Sequence, residues 1–493
     1  MTTEAELLST FPPEPAVDPA EVAASVTASG RVLVVLDDDP TGTQSVADLP
    51  VLTRWEVEDF AWALGARIGG RRPPAVYVLT NTRSLGPEEA AARNREAVRN
   101  ALAAAQQAGV ELGFVSRSDS TLRGHFPLET DVVAEELAER AGRPTDGVVV
   151  VPAFPEAGRV TVGGVHRVRD GAGGLVPVAE TEFAADATFG YSSSALPRWV
   201  EEKSGGRWRA DDVLVLDLHA VRGGTDRIAG VLEAAHDGVP VVVDAVTEND
   251  LRALALGLAE AERRGKHLLH RVGPPFVRAR IGQPERAPLT RRECFGGDGP
   301  ATGGLVVVGS HVGLTTRQLE VLTREHPRAT TVELPVEEVL DPGRAEACLA
   351  RTAEAVTGAL ATGDVVLHTS RGLVRTEDPA ESLRIARTVS AAVVDVVRRT
   401  LAASPPRFVV AKGGITSSDV AAHGLGIRRA IVRGPMLPGI VSLWEPVDGP
   451  ARGIPYVVFA GNVGGDGSLA EVVRTLSAAA GPDRTPTDPE VSR

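Results

Sequence analysis

Cysteine is scarce: the 493 residues hold only Cys294 and Cys348. Two thiols supply neither a disulfide framework nor a cysteine-based zinc site. Aromatic residues make up 4% of the chain, too few for the stacking platforms that grip single-stranded nucleic acid. Positive charge is in deficit, 52 Lys and Arg against 65 Asp and Glu, giving a formal net charge of -13. That balance argues against a large DNA-binding face and leaves room for a small basic pocket that takes an anionic metabolite. No apolar run approaches the length needed to span a bilayer. The opening residues, MTTEAELLSTFPPEPAVDPAE, lack a basic segment followed by an apolar core, so no signal peptide is expected. A cytoplasmic protein without nucleic-acid or membrane partners is the default expectation.

What the chain has is glycine (52), proline (35) and an apolar fraction of 43%, the composition of a soluble globular protein with many tight turns. Its length predicts two or three domains. Short Val-rich runs predict strands over 32–36, 75–79, 112–116, 147–151, 213–218 and 241–243, then 305–308, 365–368, 408–411, 430–432 and 456–459. Helical segments alternate with them. The clearest spans 87–107, with Pro87 and two acids in its first turn and Gly109 after its end. A second helix is expected over 379–401. The polar, Gly- and Pro-rich stretch 282–304 reads as an interdomain linker. The expected layout is a loose or partly helical, flexible lead-in over 1–30, one domain over 31–281, a second over 305–480, and a disordered tail over 481–493. Strands alternating with helices predict an α/β fold with largely parallel, Rossmann-like sheets in both domains.

Ligands of such sheets bind beyond the carboxyl ends of the strands. The first strand ends in DDDPTGTQ, three adjacent acids that repel one another and have no use in a core. A polar turn is the plain reading; a site for a metal ion or for polyol hydroxyls is the sharper one. The next exits read LTNTRS, SRSDSTLRGH and PAFPEAGR. Arginine forks suit carboxylates or phosphates, and Asp with Ser and Thr suits sugar hydroxyls. Together the four exits describe a pocket for a small, hydroxylated, anionic molecule. Exits in the C-terminal half read VGSH, AKGGITSSD and FAGNVGGDG. Glycine lets the backbone approach a ligand closely, and free N–H groups at a helix start attract phosphate. None of the three is a GxxxxGK[ST] loop or a GxGxxG fingerprint, so helix-starting turns and a nucleotide cradle both remain open. His125 fits a pocket or a turn. His166, His219 and His368 lack metal-ligand spacing and read as structural. Glu156 and Arg159 either touch the ligand or brace their own loop.

In this order the motifs resemble the four-carbon acid sugar kinase family, from about Val32 to Leu469, and RSDSTLRG and the DD-x-TG element are the most specific. The resemblance implies an ATP-dependent kinase for threonate-, erythronate- or oxo-tetronate-type acids. The N-terminal domain would bind the acid and the C-terminal domain ATP, with Mg2+ accompanying the nucleotide and no metal ligand assigned. It places Asp38 and Asp39 as catalytic groups, with Thr41 and Gly42 completing their element. The acid sugar falls to Asp39, Arg83, Arg117, Ser118, Asp119, Ser120, Thr121 and Arg123. The nucleotide falls to Ser310, Lys412, Gly413, Gly414, Ile415, Thr416, Gly461, Asn462 and Gly464. A homodimer is carried as an expectation of assembly.

The sequence departs from the family pattern in places. It reads DDDPTGT where DDLTGA is usual, and Arg117 stands for a lysine. In the final KSGxFG element Phe459, Ala460 and Val463 replace Lys, Ser and Phe, which leaves Lys412 as the expected source of the missing positive charge. A non-catalytic sugar-acid or nucleotide-binding protein of the same fold is the alternative those changes favour. An α/β dehydrogenase is opposed by the acids that stand where GxGxxG belongs.

Overall fold

Residues 3–170, 174–297, 300–371 and 379–478 are described by the structure, a computed structural model. The chain forms two compact units, Met1–Ala287 with Arg428–Ser442, and Pro288–Ile427 with Leu443–Arg493. In chain order the strands of the first part are β1 Val32–Asp37, β2 Leu49–Leu52, β3 Ala75–Leu79, β4 Leu112–Arg117, β5 Gly147–Val151, β6 Arg159–Val162, β7 Val165–Arg169, β8 Leu175–Pro177, β9 Leu214–Leu216, β10 Val239–Val243 and β11 Leu268–Val272. They are followed by β12 Leu305–Val308, β13 Thr330–Leu334, β14 Val365–Thr369, β15 Val409–Lys412, β16 Arg429–Leu437, β17 Ile440–Pro446 and β18 Tyr456–Phe459.

In the first unit the sheet order is β16-β2-β3-β1-β4-β11-β5-β10-β9. Every neighbouring pair is parallel except β16 with β2, which is antiparallel. β1 is central, and its Val34 and Val35 are both 0% exposed, as a β-branched strand covered on both faces requires. The helix Pro87–Ala108 packs Ala97, Ala101 and Ala104 inward, starts with Pro87 and ends on Gly109 in the left-handed region. A smaller antiparallel sheet, β6-β7-β8, lies in the same unit.

The second unit carries the order β13-β14-β12-β15-β18, all parallel. Each sheet therefore has a topological switch point. From β1 the chain lays β2 and β3 on one side before β4 on the other, and from β12 it lays β13 and β14 on one side before β15 on the other. The crevice beyond such a strand is where open α/β sheets bind ligands.

The structure sharpens the lead-in and corrects two expected segments. Of the two readings of the lead-in, the partly helical one fits: Asp18 caps the helix Pro19–Ser29, whose Val22 and Val26 are buried with Ala255 of the helix Glu248–Arg263. Residues 428–442, expected in the C-terminal domain, belong to the first unit because β16 pairs with β2. The stretch 282–304 contains a helix, Arg291–Phe295, closed by a Thr290–Glu293 capping box. The tail 481–493 lies outside the described residues.

Candidate active site

The three strands at the first switch point deliver the acids and arginines together. β1 pairs Asp37 with Leu79 of β3 and with Arg117 of β4. Asp37 and Arg117 are both buried and form an ion pair. Burial, with the charges of Asp38 and Asp39 added, pushes the Asp37 carboxyl up to about 7 in spite of Arg117. Arg117 Nη2 also donates to the Asp39 carbonyl at 2.6 Å. A Cβ on Gly42 would collide with Arg117 and Asp37, so glycine is what lets the turn close over this pair.

Asp38 is buried as well, and Arg83 grips it with two bonds, Nη2 to Oδ1 at 2.6 Å and Nε to Oδ2 at 3.1 Å. Arg83 Nη1 reaches Asp39 Oδ2 at 3.3 Å. The Asp39 side chain remains 25% exposed, and Thr41 donates its amide (2.9 Å) and hydroxyl (2.5 Å) to Asp39 Oδ1. Burial opposes the charge on Asp39, yet Arg83, Arg117 and the Thr41 bonds hold its carboxyl below the usual range.

The RSDSTLRG loop leaves β4 beside them. Arg123 Nε donates to Asp119 Oδ2 at 2.6 Å, and the Thr121 hydroxyl bonds the same carboxylate. Against the cost of burial, Arg83, Arg123 and the Thr121 and Arg123 bonds bring Asp119 down to about 2. Leu122 holds φ at +69° with its side chain buried, a strained conformation that the surrounding bonds enforce. The loop is braced from beneath. His166, on β7, donates Nε2–H to the Ser120 carbonyl at 2.7 Å and accepts the Thr161 hydroxyl at 2.9 Å. His125 Nε2 lies at the carbonyls of Thr82 and Leu85, so it is a turn residue.

Four residues expected at the ligand are buried. Arg117 is 2% exposed and its guanidinium is engaged by Asp37 and the Asp39 carbonyl. Ser118, Ser120 and Thr121 are buried too; they shape the loop, and Asp39, Arg83, Asp119 and Arg123 are its accessible groups. Sequence reasoning missed Arg271 and Glu129. Arg271 Nη1 donates to Glu129 Oε2 and to the Ser116 hydroxyl, each at 3.3 Å, and its Nη2 atom would meet a Cβ on Gly124 at 2.8 Å. Arg159, left open by the sequence, has its Nη1 on the Ala157 carbonyl and a buried Nε without a partner. It shares the Phe183 ring with Arg123, their guanidinium carbons 5.7 and 5.4 Å from its centroid.

The second switch point gathers Ser310, the 413–416 turn and the 461–464 turn. A Cβ on Gly413 would lie 3.2 Å from Ser310 Cβ, and one on Gly461 2.7 Å from Ser310 Oγ. Gly413 has φ +131°, and the helix Gly414–Asp419 begins directly after it. Thr315 Oγ1 bonds the Gly461 carbonyl at 2.9 Å. Gly464 is in the left-handed region, and Asn462, Ile415 and Val312 are exposed. Lys412 departs from expectation: it is 0% exposed, its Nζ donates to the Ala460 carbonyl at 2.6 Å, and it lies 3.9 Å from the Phe459 ring centroid. Burial pushes its ammonium down to about 7, and its bond to Ala460 braces the turn that follows β18.

Residues 33–280 match a family model described as a sugar-binding N-terminal domain, and 305–469 one described as a nucleotide-binding C-terminal domain. A D-erythronate kinase of Heliobacterium modesticaldum is 28% identical over 316 residues, 63% of this chain and 64% of the relative, slightly under two thirds of its length. A D-threonate kinase of Cupriavidus necator is 29% identical over 381 residues, 73% of this chain and 80% of that one. A solved protein of Salmonella typhimurium LT2, 20% identical, shares the fold with a TM-score of 0.65 over 90% of this chain and 99% of its own. Because the sugar-binding domain spans half of the sequence and the nucleotide-binding domain follows it, this chain belongs to the four-carbon acid sugar kinase family.

Proposed function

We propose that the chain transfers the γ-phosphoryl group of ATP to a hydroxyl of a four-carbon sugar acid of the threonate, erythronate or oxo-tetronate type. The observation that carries this reading is the Asp38–Arg83–Asp39 lattice at the switch point of the unit that matches a sugar-binding domain. Asp39 has one carboxylate oxygen on Thr41 and the other near Arg83, with part of its surface open. An acceptor hydroxyl bonded there is oriented for attack and can pass its proton to the carboxylate as the new P–O bond forms and ADP departs. The low basicity of Asp39 suits a loose transition state, in which the proton moves late. Arg83 fixes Asp38 and Asp39 in place.

The substrate's own carboxylate needs a cation that is not already spent. Arg117 is committed to Asp37 and Arg83 to Asp38. Among the described residues Arg159 has no carboxylate partner and a buried Nε without a hydrogen-bond partner, so Arg159 is assigned to the carboxylate, beside the Phe183 ring that it shares with the Asp119-bound Arg123. The nucleotide is assigned to Ser310 and to the backbone of the 413–416 and 461–464 turns, where glycines leave room for phosphate. The exposed Ile415 and Val312 offer apolar surface to the base. Among the described residues no group of three or more His, Cys, Asp or Glu able to hold a metal ion occurs. A magnesium ion would therefore be held chiefly by phosphate oxygens and water, and would neutralise charge on the transferring group.

The test is ADP formation by the whole chain with a panel of four-carbon sugar acids. Turnover with at least one of them is expected. Acid binding without ADP formation would favour the non-catalytic reading, which the Phe459 and Ala460 replacements support.

A further inference from the structure

We propose that Arg371 is the side chain that meets the phosphates of the nucleotide, supplying the charge lost where Phe459 replaces a lysine. This rests on the nucleotide-kinase reading above. Arg371 follows β14, the strand beside β12 at the switch point of the second sheet. Its Nη1 donates to the Ser310 carbonyl at 2.7 Å and its Nη2 to the Thr316 hydroxyl at 2.6 Å. Ser310 is the residue against which the Gly413 and Gly461 turns close, so the guanidinium is anchored to the proposed phosphate cradle itself.

Both of its acceptors are neutral, and among the described residues Arg371 has no carboxylate partner. Its Nε is buried without a hydrogen-bond partner. Beside it, His311 Nδ1 is likewise buried and unpartnered, while His311 Nε2 lies 3.3 Å from Thr369 Oγ1. Taking a guanidinium out of water without a counter-charge is costly, and a protein recovers that cost when an anion arrives. Three arginines of the sugar-acid site show the contrast, since Arg83, Arg117 and Arg123 each hold an aspartate, whereas Arg159, assigned there to the substrate's carboxylate, shares the unpaired state of Arg371. Arg371 is built for an anion that the described residues do not supply. Lys412, the other cation at these turns, is spent on Ala460 and Phe459. Two of the five guanidinium N–H donors are used by Ser310 and Thr316, which leaves donors in the fork geometry that suits phosphate oxygens.

The experiment is calorimetric titration of the full chain with Mg-ATP and, separately, with adenosine. The proteins are the wild type, Arg371→Gln, which keeps an N–H donor for the Ser310 carbonyl, and Arg371→Lys, which keeps the charge. Arg371→Gln is expected to weaken ATP by about tenfold or more and adenosine by less than about twofold, and Arg371→Lys to recover part of the ATP affinity. Equal losses for both ligands, in either variant, would make Arg371 a structural brace and overturn the proposal. So would unchanged ATP affinity in Arg371→Gln. A wild type that binds neither ligand would instead overturn the nucleotide reading on which the proposal stands.

Discussion

The three acids of DDDPTGTQ have three different fates. Asp37 is a buried counter-ion for Arg117, Asp38 is clamped by Arg83, and Asp39 alone keeps an accessible carboxylate. Sequence grouped Asp38 and Asp39 as catalytic because it registers adjacency and not direction; which carboxylate reaches solvent depends on how the chain turns at Gly42. The division of labour assigns the acceptor hydroxyl to Asp39. Asp39→Asn is therefore expected to lower kcat by ~100-fold or more while leaving ATP affinity within about twofold. Steady-state kinetics with nucleotide calorimetry checks both halves. A kcat within about threefold of wild type would remove Asp39 from the chemistry.

At the scale of elements, strands with unbroken apolar runs were legible: β1, β3, β5, β12 and β18 lie where alternation places them. β2, β11 and β13 were not. Pro50 interrupts β2, His270 and Arg271 interrupt β11, and β13 reads TTVEL. Their apolar signal is diluted by residues that only tertiary partners satisfy. The same dilution hid Arg271, which no motif announces, and the role of the β6–β7 hairpin beneath the RSDSTLRG loop. That hairpin carries His166, whose ring burial pushes down from 6.5 to about 4. The folded protein thus favours the neutral ring, and the unfolded chain takes up a proton first as the pH falls. Its stabilising contribution is complete above pH 6.5 and is lost as the pH falls from there toward 4. His166→Gln is expected to cost about 1–3 kcal/mol at neutral pH, and the gap from wild type should shrink toward pH 4. Urea unfolding at several pH values measures it. A gap that stays constant or widens on acidification would contradict the assigned protonation state.

For the molecule as a whole, the alternation of strands and helices in both halves was readable, and the family motifs fell at strand exits; the order of strands within the sheet was not. The late return of the chain into the first unit was not readable, because strand pairing across nearly four hundred residues leaves no local pattern. Asp59 secures that return. It is 0% exposed and accepts bonds from Arg429 Nε at 2.8 Å and Arg428 Nη2 at 3.0 Å. Asp59→Ala is expected to destabilise the protein by about 2–4 kcal/mol, read by urea unfolding, and a loss below about 0.5 kcal/mol would mean that β16 is held by its ladder alone. The assignment of a sugar-acid kinase meets its most direct test in 31P NMR of the chain incubated with Mg-ATP and threonate, erythronate or an oxo-tetronate. One phosphate ester of the acid should appear for each ADP formed. Inorganic phosphate appearing with ADP in place of an ester, or no ADP with any of the acids, would contradict it.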